Sequence, residues 1–241
     1  MKIAIFGDSF ADCSWYPWAT AEPSIGLGWT ELLATTHDVT NYALGGTGLY
    51  HAYEMFLKYH SQFDKIIFVS SGAERFYVNL VETDTIVHIV PATDFKKRSQ
   101  IEKRNGYYIN SQIIEAASNY ALYVLNLEKE QLFGKLLLND ISRIRNDVIL
   151  VPALCTNNDS TVTLGHMSML EQNFYNITTE LIKSQNLTDL RKCHLSDENN
   201  QMVYEKIVDV LTNKTSCFSL TEQDFRTPVK SWQSYWKKTN L

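Results

Sequence analysis

The stretch Lys2-Ile3-Ala4-Ile5-Phe6-Gly7-Asp8-Ser9-Phe10-Ala11-Asp12 decides how this chain is read. A short β-favouring run, apolar at every position from Ile3 to Phe6, is stopped by Gly7. A strand that is apolar on both sides of its pleat is one covered on both faces, as in a parallel sheet flanked by helices. In such sheets ligands gather outside the carboxyl ends of the strands. Ser9 follows the strand end closely, where a nucleophile would face a ligand crevice.

Outward from this stretch the pattern repeats. "GWTELLATT" (28–36) predicts a short helix with Trp29, Leu32 and Leu33 on one face, and "HDVTNYALGG" (37–46) a strand stopped by Gly45 and Gly46. "LYHAYEMFLKYHSQF" (49–63) has Leu49, Ala52, Tyr53, Phe56 and Leu57 at helical spacing. "DKIIFVSSG" (64–72) is the clearest buried strand, and "NDVILVPAL" (146–154) is the next. Between them, residues 76–145 read as a mostly helical insertion, with "DTIVHIV" as an edge strand or loop arm and Leu122, Leu125 and Leu132 as core candidates. Helices are predicted over 168–186 and over 196–213, the second with Ser196 as N-cap and acids in its first turn. The expected fold is α/β, a three-layer α/β/α arrangement with a mostly parallel sheet over 1–211. The aromatic-rich remainder, 212–241, is read as a C-terminal appendage. Gly7-Asp8-Ser9, Gly45-Gly46-Thr47 and Ser70-Ser71-Gly72 then all open onto one crevice.

Bulk properties narrow the function classes. The chain has 241 residues, 44% apolar and 20% charged, enough for one substantial core. A net charge of -5 argues against nucleic-acid binding, which needs a basic face. No apolar run has the length of a membrane span or of a signal-peptide core, so a soluble, cytoplasmic protein is expected. Cys13, Cys155, Cys193 and Cys217 are scattered without zinc-site spacing, and reduced thiols are expected. No Lys-Ser or Lys-Thr follows "GGTG", so it is no phosphate-binding loop.

A serine hydroxyl is a poor nucleophile until a base takes its proton. Of the six histidines, His51, His60, His88 and His166 fall in presumed helices or the insertion, and His37 lies at the wrong end of a strand. His194 stands directly before the final helix, on the side where Ser9 emerges. The N–H groups of Ser9 and Gly46 are the candidate oxyanion donors. Asp8 is placed to fix the turn, and Trp15, Tyr16 and Trp18 to wall a pocket or to pack as a lid.

These residues carry a family resemblance. "IFGDSFAD" resembles the first block of the SGNH (GDSL-type) hydrolases, "NYALGGTG" the second, "DKIIFVSSGAER" stands at the third, and "CHLSDENNQMVYEKI" is similar to the fifth. The resemblance runs from residue 2 to about 211 and implies an SGNH/flavodoxin-like fold. It also implies a serine-dependent ester hydrolase without cofactor or metal, with Ser9 as nucleophile, His194 as base and Gly46 in the oxyanion hole. The substrates it implies are small-molecule, lipid or glycan esters, so carbohydrate O-deacetylase and lipase-like activities are both in scope. Two positions depart from the family. Its third-block Asn, an oxyanion donor, is Ala73 here, and the Asp beside it is Glu74. Removing such a donor costs about 2.7–4 kcal/mol of transition-state stabilisation in other enzymes. Ser71, Glu74 and Arg75 are the nearby replacements. The family's triad acid, three residues before the histidine, is Arg191, leaving either Asp189, the nearest acid, to complete a triad or a Ser-His dyad without one. These departures also support an alternative, a binding or accessory protein of the same fold without catalysis. The Gly-x-Ser-x-Gly elbow of α/β-hydrolases is only loosely matched by Gly7-Asp8-Ser9-Phe10-Ala11, and that elbow follows several strands rather than one.

Overall fold

Alternate positions of the first strand face two different cores, and this fixes the layering. The computed structural model describes residues 1–13, 26–72, 76–80, 85–89, 126–154, 162–213 and 217–238, with isolated positions at 115, 119 and 124. Strand β1 (Lys2–Phe6) lies inside a parallel sheet with β2 (Asp38–Asn41), β3 (Lys65–Ser70) and β6 (Ile149–Pro152), in the order β2-β1-β3-β6. Ile3 and Ile5, with Ile67, Val69, Ile149 and Val151 of the neighbouring strands, point into one core. Ala4 and Phe6, with Ile66 and Phe68, point into the other. Strand period two thus feeds two helical layers. The first layer holds α1 (Trp29–Ala34), α4 (Leu164–Phe174) and α6 (Asp197–Asn213), through Trp29, Leu33, Met167, Val203 and Ile207. The second holds α2 (Leu49–Tyr59) and α3 (Leu127–Ile144), through Leu49, Ala52, Phe56, Leu137 and Ile141. Each fully buried Ile or Phe contributes roughly 1.5–3 kcal/mol relative to exposure.

Residues 76–89 contain an antiparallel pair, β4 (Phe76–Leu80) and β5 (Thr85–Ile89), so Thr85–Ile89 of the "DTIVHIV" segment form a strand. The helical part of the insertion is described from Leu127 onward, where the Asn126 side chain caps α3 by accepting from Lys129 N. Leu132 is 59% exposed, and the core contacts fall to Leu137 and Ile141 instead; Leu122 and Leu125 lie outside the described residues. Leu57, expected on the buried face of α2, is exposed.

The helix expected over 168–186 is two helices. The first, α4, starts earlier, at the Thr163 cap, which accepts from His166 N. Asn176 takes a left-handed φ of 56° and ends it, and Thr178 caps α5 (Thr179–Ser184). Asn is among the few residues that take this conformation readily. A three-residue strand, β7 (Leu187–Asp189), follows and pairs antiparallel with β8 (Trp236–Lys238) near the end of the chain. Among the described residues no helix is long and apolar enough to cross a membrane.

The chain leaves β1 for β2 on one side and returns to β3 on the other, so the carboxyl ends of β1 and β3 flank the point where strand order reverses. Crevices in open α/β sheets form at such points. Gly7 keeps β1 and β3 close there, since a Cβ on it would lie 2.6 Å from Val69 Cβ and 3.2 Å from Val69 O. Gly7→Ala is expected to force the two strand ends apart and cost about 1–3 kcal/mol, read as a lowered midpoint in urea denaturation.

Candidate active site

Asp8 shapes the turn that presents Ser9. Its backbone carbonyl accepts the N–H groups of Ala11 and Asp12, both at 2.9 Å, and its carboxylate accepts from Phe10 N at 3.0 Å. Neighbouring elements hold the far side of the turn: Trp29 Nε1 donates to Phe10 O, and Thr30 Oγ1 and Asn41 Nδ2 donate to Ala11 O. The glycine turn is tied to the same segment, with Gly45 N donating to Asp12 Oδ2 at 2.8 Å and Leu44 N to Gly7 O at 3.1 Å. Gly46 adopts a φ of 82°, a conformation that favours glycine. Among the described residues, no acceptor takes the N–H of Ser9 or of Gly46. The Ser71 hydroxyl, just past the end of β3, is buried and has no hydrogen-bond partner among the described residues. Ala73, Glu74 and Arg75 lie outside the described residues, as do Trp15, Tyr16 and Trp18.

The histidine arrives from the other end of the chain. Residues Lys192–His194 form a single 3-10 turn in which Cys193 and His194 take left-handed φ values of 51° and 60°. Such conformations cost of order 1–3 kcal/mol each for residues with a Cβ and persist only where the surroundings impose them. Here several contacts do so. Asn200 Nδ2 donates to the carbonyls of Lys192, Leu195 and Ser196, while its Oδ1 accepts from Trp29 N. Lys192 pairs with both carboxylate oxygens of Glu31 on α1. The Phe10 ring packs against the imidazole with centroids 4.9 Å apart.

As a result, His194 Nε2 lies 2.9 Å from Ser9 Oγ. On the other side of the ring, Nδ1 lies 3.4 Å from Asp189 Oδ2 at the end of β7. Burial opposes ionisation of Asp189. The charge of Arg191 and the bonds from His194 and Arg191 outweigh it and hold the carboxyl well below the usual carboxylate range. An ionised carboxylate can only accept, which puts the ring proton on Nδ1 and leaves Nε2 to accept the serine hydroxyl. Serine, imidazole and carboxylate in this sequence are a chain able to activate an oxygen nucleophile.

Arg191 does not confront the imidazole as a bare cation. Its side chain is 1% exposed and spans two carboxylates. Nε and Nη2 bind Asp189 at 3.0 and 2.8 Å, and Nη1 binds Glu171 at 2.7 Å. The guanidinium also donates to Ser168 O and Oγ and lies over the Trp236 ring. Glu171, fully buried, accepts further from Ser196 N and from Asn199 Nδ2. Sequence reasoning missed Glu171, Asn199 and Asn200. A signal existed for the first: Glu171 stands at i+7 from Leu164, on the stripe completed by Met167 and Ser168 that α4 buries.

Cys13 and Cys193 are joined in a disulfide, with Cα atoms 5.3 Å apart and a sequence separation of 180. This corrects the expectation of reduced thiols for that pair; Cys217 is free and exposed. Sequence spacing could exclude only local cysteine frameworks, whereas the fold brings the end of the serine turn beside the histidine turn. The bond ties the segment four positions after Ser9 to the residue preceding His194. No group of metal-ligating side chains occurs among the described residues.

No family model matches the chain, and no curated protein matches it. Among solved structures, a crystal structure of an acetyl xylan esterase is similar over 97% of this chain and 94% of that one, at 11% identity and a TM-score of 0.29. A likeness that loose carries no argument about fold or activity.

The cross-link is expected to appear as a Cys13–Cys193 peptide in non-reducing peptide mapping. A Cys13→Ala/Cys193→Ala variant should lose about 2–5 kcal/mol of unfolding free energy, measured in urea without reductant.

Proposed function

We propose that the protein is a serine-dependent ester hydrolase of SGNH type, with the doubly wound strand order of flavodoxin-like sheets. The observation that carries the reading is the bond between Ser9 Oγ and His194 Nε2 at 2.9 Å, with Asp189 on the far side of the ring. Ser9 Oγ attacks the acyl carbon as its proton passes to Nε2. The tetrahedral oxyanion is received by the Ser9 and Gly46 N–H groups, which have no acceptor among the described residues. The Ser71 hydroxyl, which has no partner among the described residues, is a candidate to supply the donor that Ala73 lacks. His194 then returns the proton to the leaving alcohol. Water repeats the sequence on the acyl-enzyme, releasing the acid and restoring Ser9. Asp189 fixes the ring tautomer and stabilises the imidazolium. The reaction needs no cofactor, and the substrate is an ester of a small molecule, lipid or glycan.

Hydrolysis of p-nitrophenyl acetate and covalent labelling by a fluorophosphonate test the reading together. Ser9→Ala and His194→Ala should each lower kcat by about 10^4-fold or more while leaving the fold intact by circular dichroism. Ser9→Ala should also abolish labelling. A wild-type protein that neither turns over an ester panel nor labels at Ser9 would instead be a non-catalytic binding protein on this fold.

A further inference from the structure

We propose that Glu171 is a positioning residue whose buried negative charge offsets Arg191, so that Asp189 can still support a protonated His194. This rests on the hydrolase reading above and concerns how the same site is poised.

Arg191 binds Asp189 through both carboxylate oxygens: Oδ1 accepts from Nε at 3.0 Å and Oδ2 from Nη2 at 2.8 Å. The oxygen that faces His194 Nδ1 is thus shared with a guanidinium. An aspartate neutralised in this way presents the imidazole with a dipole rather than a charge and gives an imidazolium little support. Glu171 changes the balance. It grips the remaining arm of the guanidinium at 2.7 Å, so the three groups together carry one net negative charge.

The partners of Glu171 favour its carboxylate form. Arg191 Nη1, Ser196 N and Asn199 Nδ2 are all donors, and no acceptor for a carboxyl proton faces it among the described residues. Burial raises this carboxyl above its ordinary value on balance, and those same donors offset part of the push. An acid with a backbone role alone could have been satisfied by Ser196 and Asn199. The third bond, to Arg191, is the one that bears on the triad.

Other charged groups lie on the elements around His194. Asp8 and Asp12 are buried on the serine turn, Lys192 is paired with Glu31 of α1, and Asp197 at the start of α6 is paired with Lys230, with Glu198 next to it. None of these binds Arg191 or Asp189. Substitution at Glu171 therefore reports on the three-membered cluster.

The test compares wild type, Glu171→Gln and the double variant Glu171→Gln/Arg191→Met. In Glu171→Gln the cluster loses its net negative charge, so the acid limb of the kcat/KM profile should move to lower pH by about half to one unit. The double variant removes one charge of each sign, restores the net charge and should return the limb to near the wild-type position. The titration midpoint of the His194 ring resonances by NMR should move in the same directions, and it can be read without turnover. If kcat falls but neither limb nor midpoint moves in Glu171→Gln, Glu171 only holds the loop and the proposal fails. It fails equally if the double variant stays displaced along with Glu171→Gln. Should Glu171→Gln not fold, the double variant decides alone: a limb and midpoint displaced from wild type overturn the proposal. Fluorophosphonate labelling of the wild type is run alongside. Its absence would sink the hydrolase reading, while the NMR midpoints would still decide whether the cluster sets the charge at His194.

Discussion

The contact on which the rest of the site depends joins Ser9 to His194 across 185 residues of chain. Neither residue is chemically unusual alone, and nothing local brings them together. Ser9 inherits its place from the sheet: β1 is central, its end is pinned to β3 through Gly7, and Asp8 turns the chain immediately afterwards. His194 is held in a backbone conformation that costs energy, on a turn bound to α1 and α6 through Asn200, Lys192 and the Trp29 N–H. The disulfide from Cys13 to Cys193 connects these two independent supports next to the contact itself. A staple placed there limits how far the hydroxyl and the imidazole can drift apart, and this kind of restraint keeps reacting groups in near-attack geometry.

Beneath that contact lies a row of buried charges, Asp189, Arg191 and Glu171. Such rows seldom add net stability, because desolvating each ion offsets much of the attraction between them. Losing a single member is a different matter, since it strands an uncompensated charge in the interior. In sequence, Arg191 stands where the resemblance to the SGNH pattern would place an acid, which made it look hostile to a histidine base. In three dimensions its guanidinium is turned away into the space between two carboxylates and under Trp236. The carboxylate that meets the imidazole is Asp189, five residues before the histidine, and Arg191 clamps it.

What the sequence made legible was local or periodic. The both-face apolar run of β1, the Gly-Asp-Ser turn and the β-branched β3 signalled themselves within a few residues, and the position of His194 before the last helix followed from the helix start. Features that depend on distant partners were not legible. Strand β7 has only three residues and exists because β8 pairs with it from more than forty positions away. Cys13 and Cys193 lack any spacing rule that would join them. Helical period gave the α2 and α3 faces, but which residue at the edge of a stripe meets the sheet is set by packing, so Leu57 and Leu132 are exposed while Phe56 and Leu137 are buried. Glu171 was readable in principle, as an acid on an otherwise buried stripe, though only the structure shows the guanidinium that it meets.

The C-terminal residues follow the same logic. Among the described residues β8 is the only strand that pairs with β7, and Leu190 N donates to Tyr235 O just beyond the ladder. The strand that carries Asp189 is therefore positioned by the end of the chain rather than by the main sheet. Trp236 covers Arg191, Tyr235 is fully buried with its hydroxyl accepting from Asp197 N, and the Arg226 backbone donates to and accepts from the side-chain amide of Asn199, which also donates to Glu171. Serine comes from the first strand, histidine from the turn before the last helix, and the acid's support from the final described strand. A site assembled from segments this far apart in sequence is complete only when β1, the His194 turn and the β7–β8 pair have come together. The covalent bond between the serine and histidine segments is consistent with that demand, because it closes a long loop, of sequence separation 180, directly beside the contact.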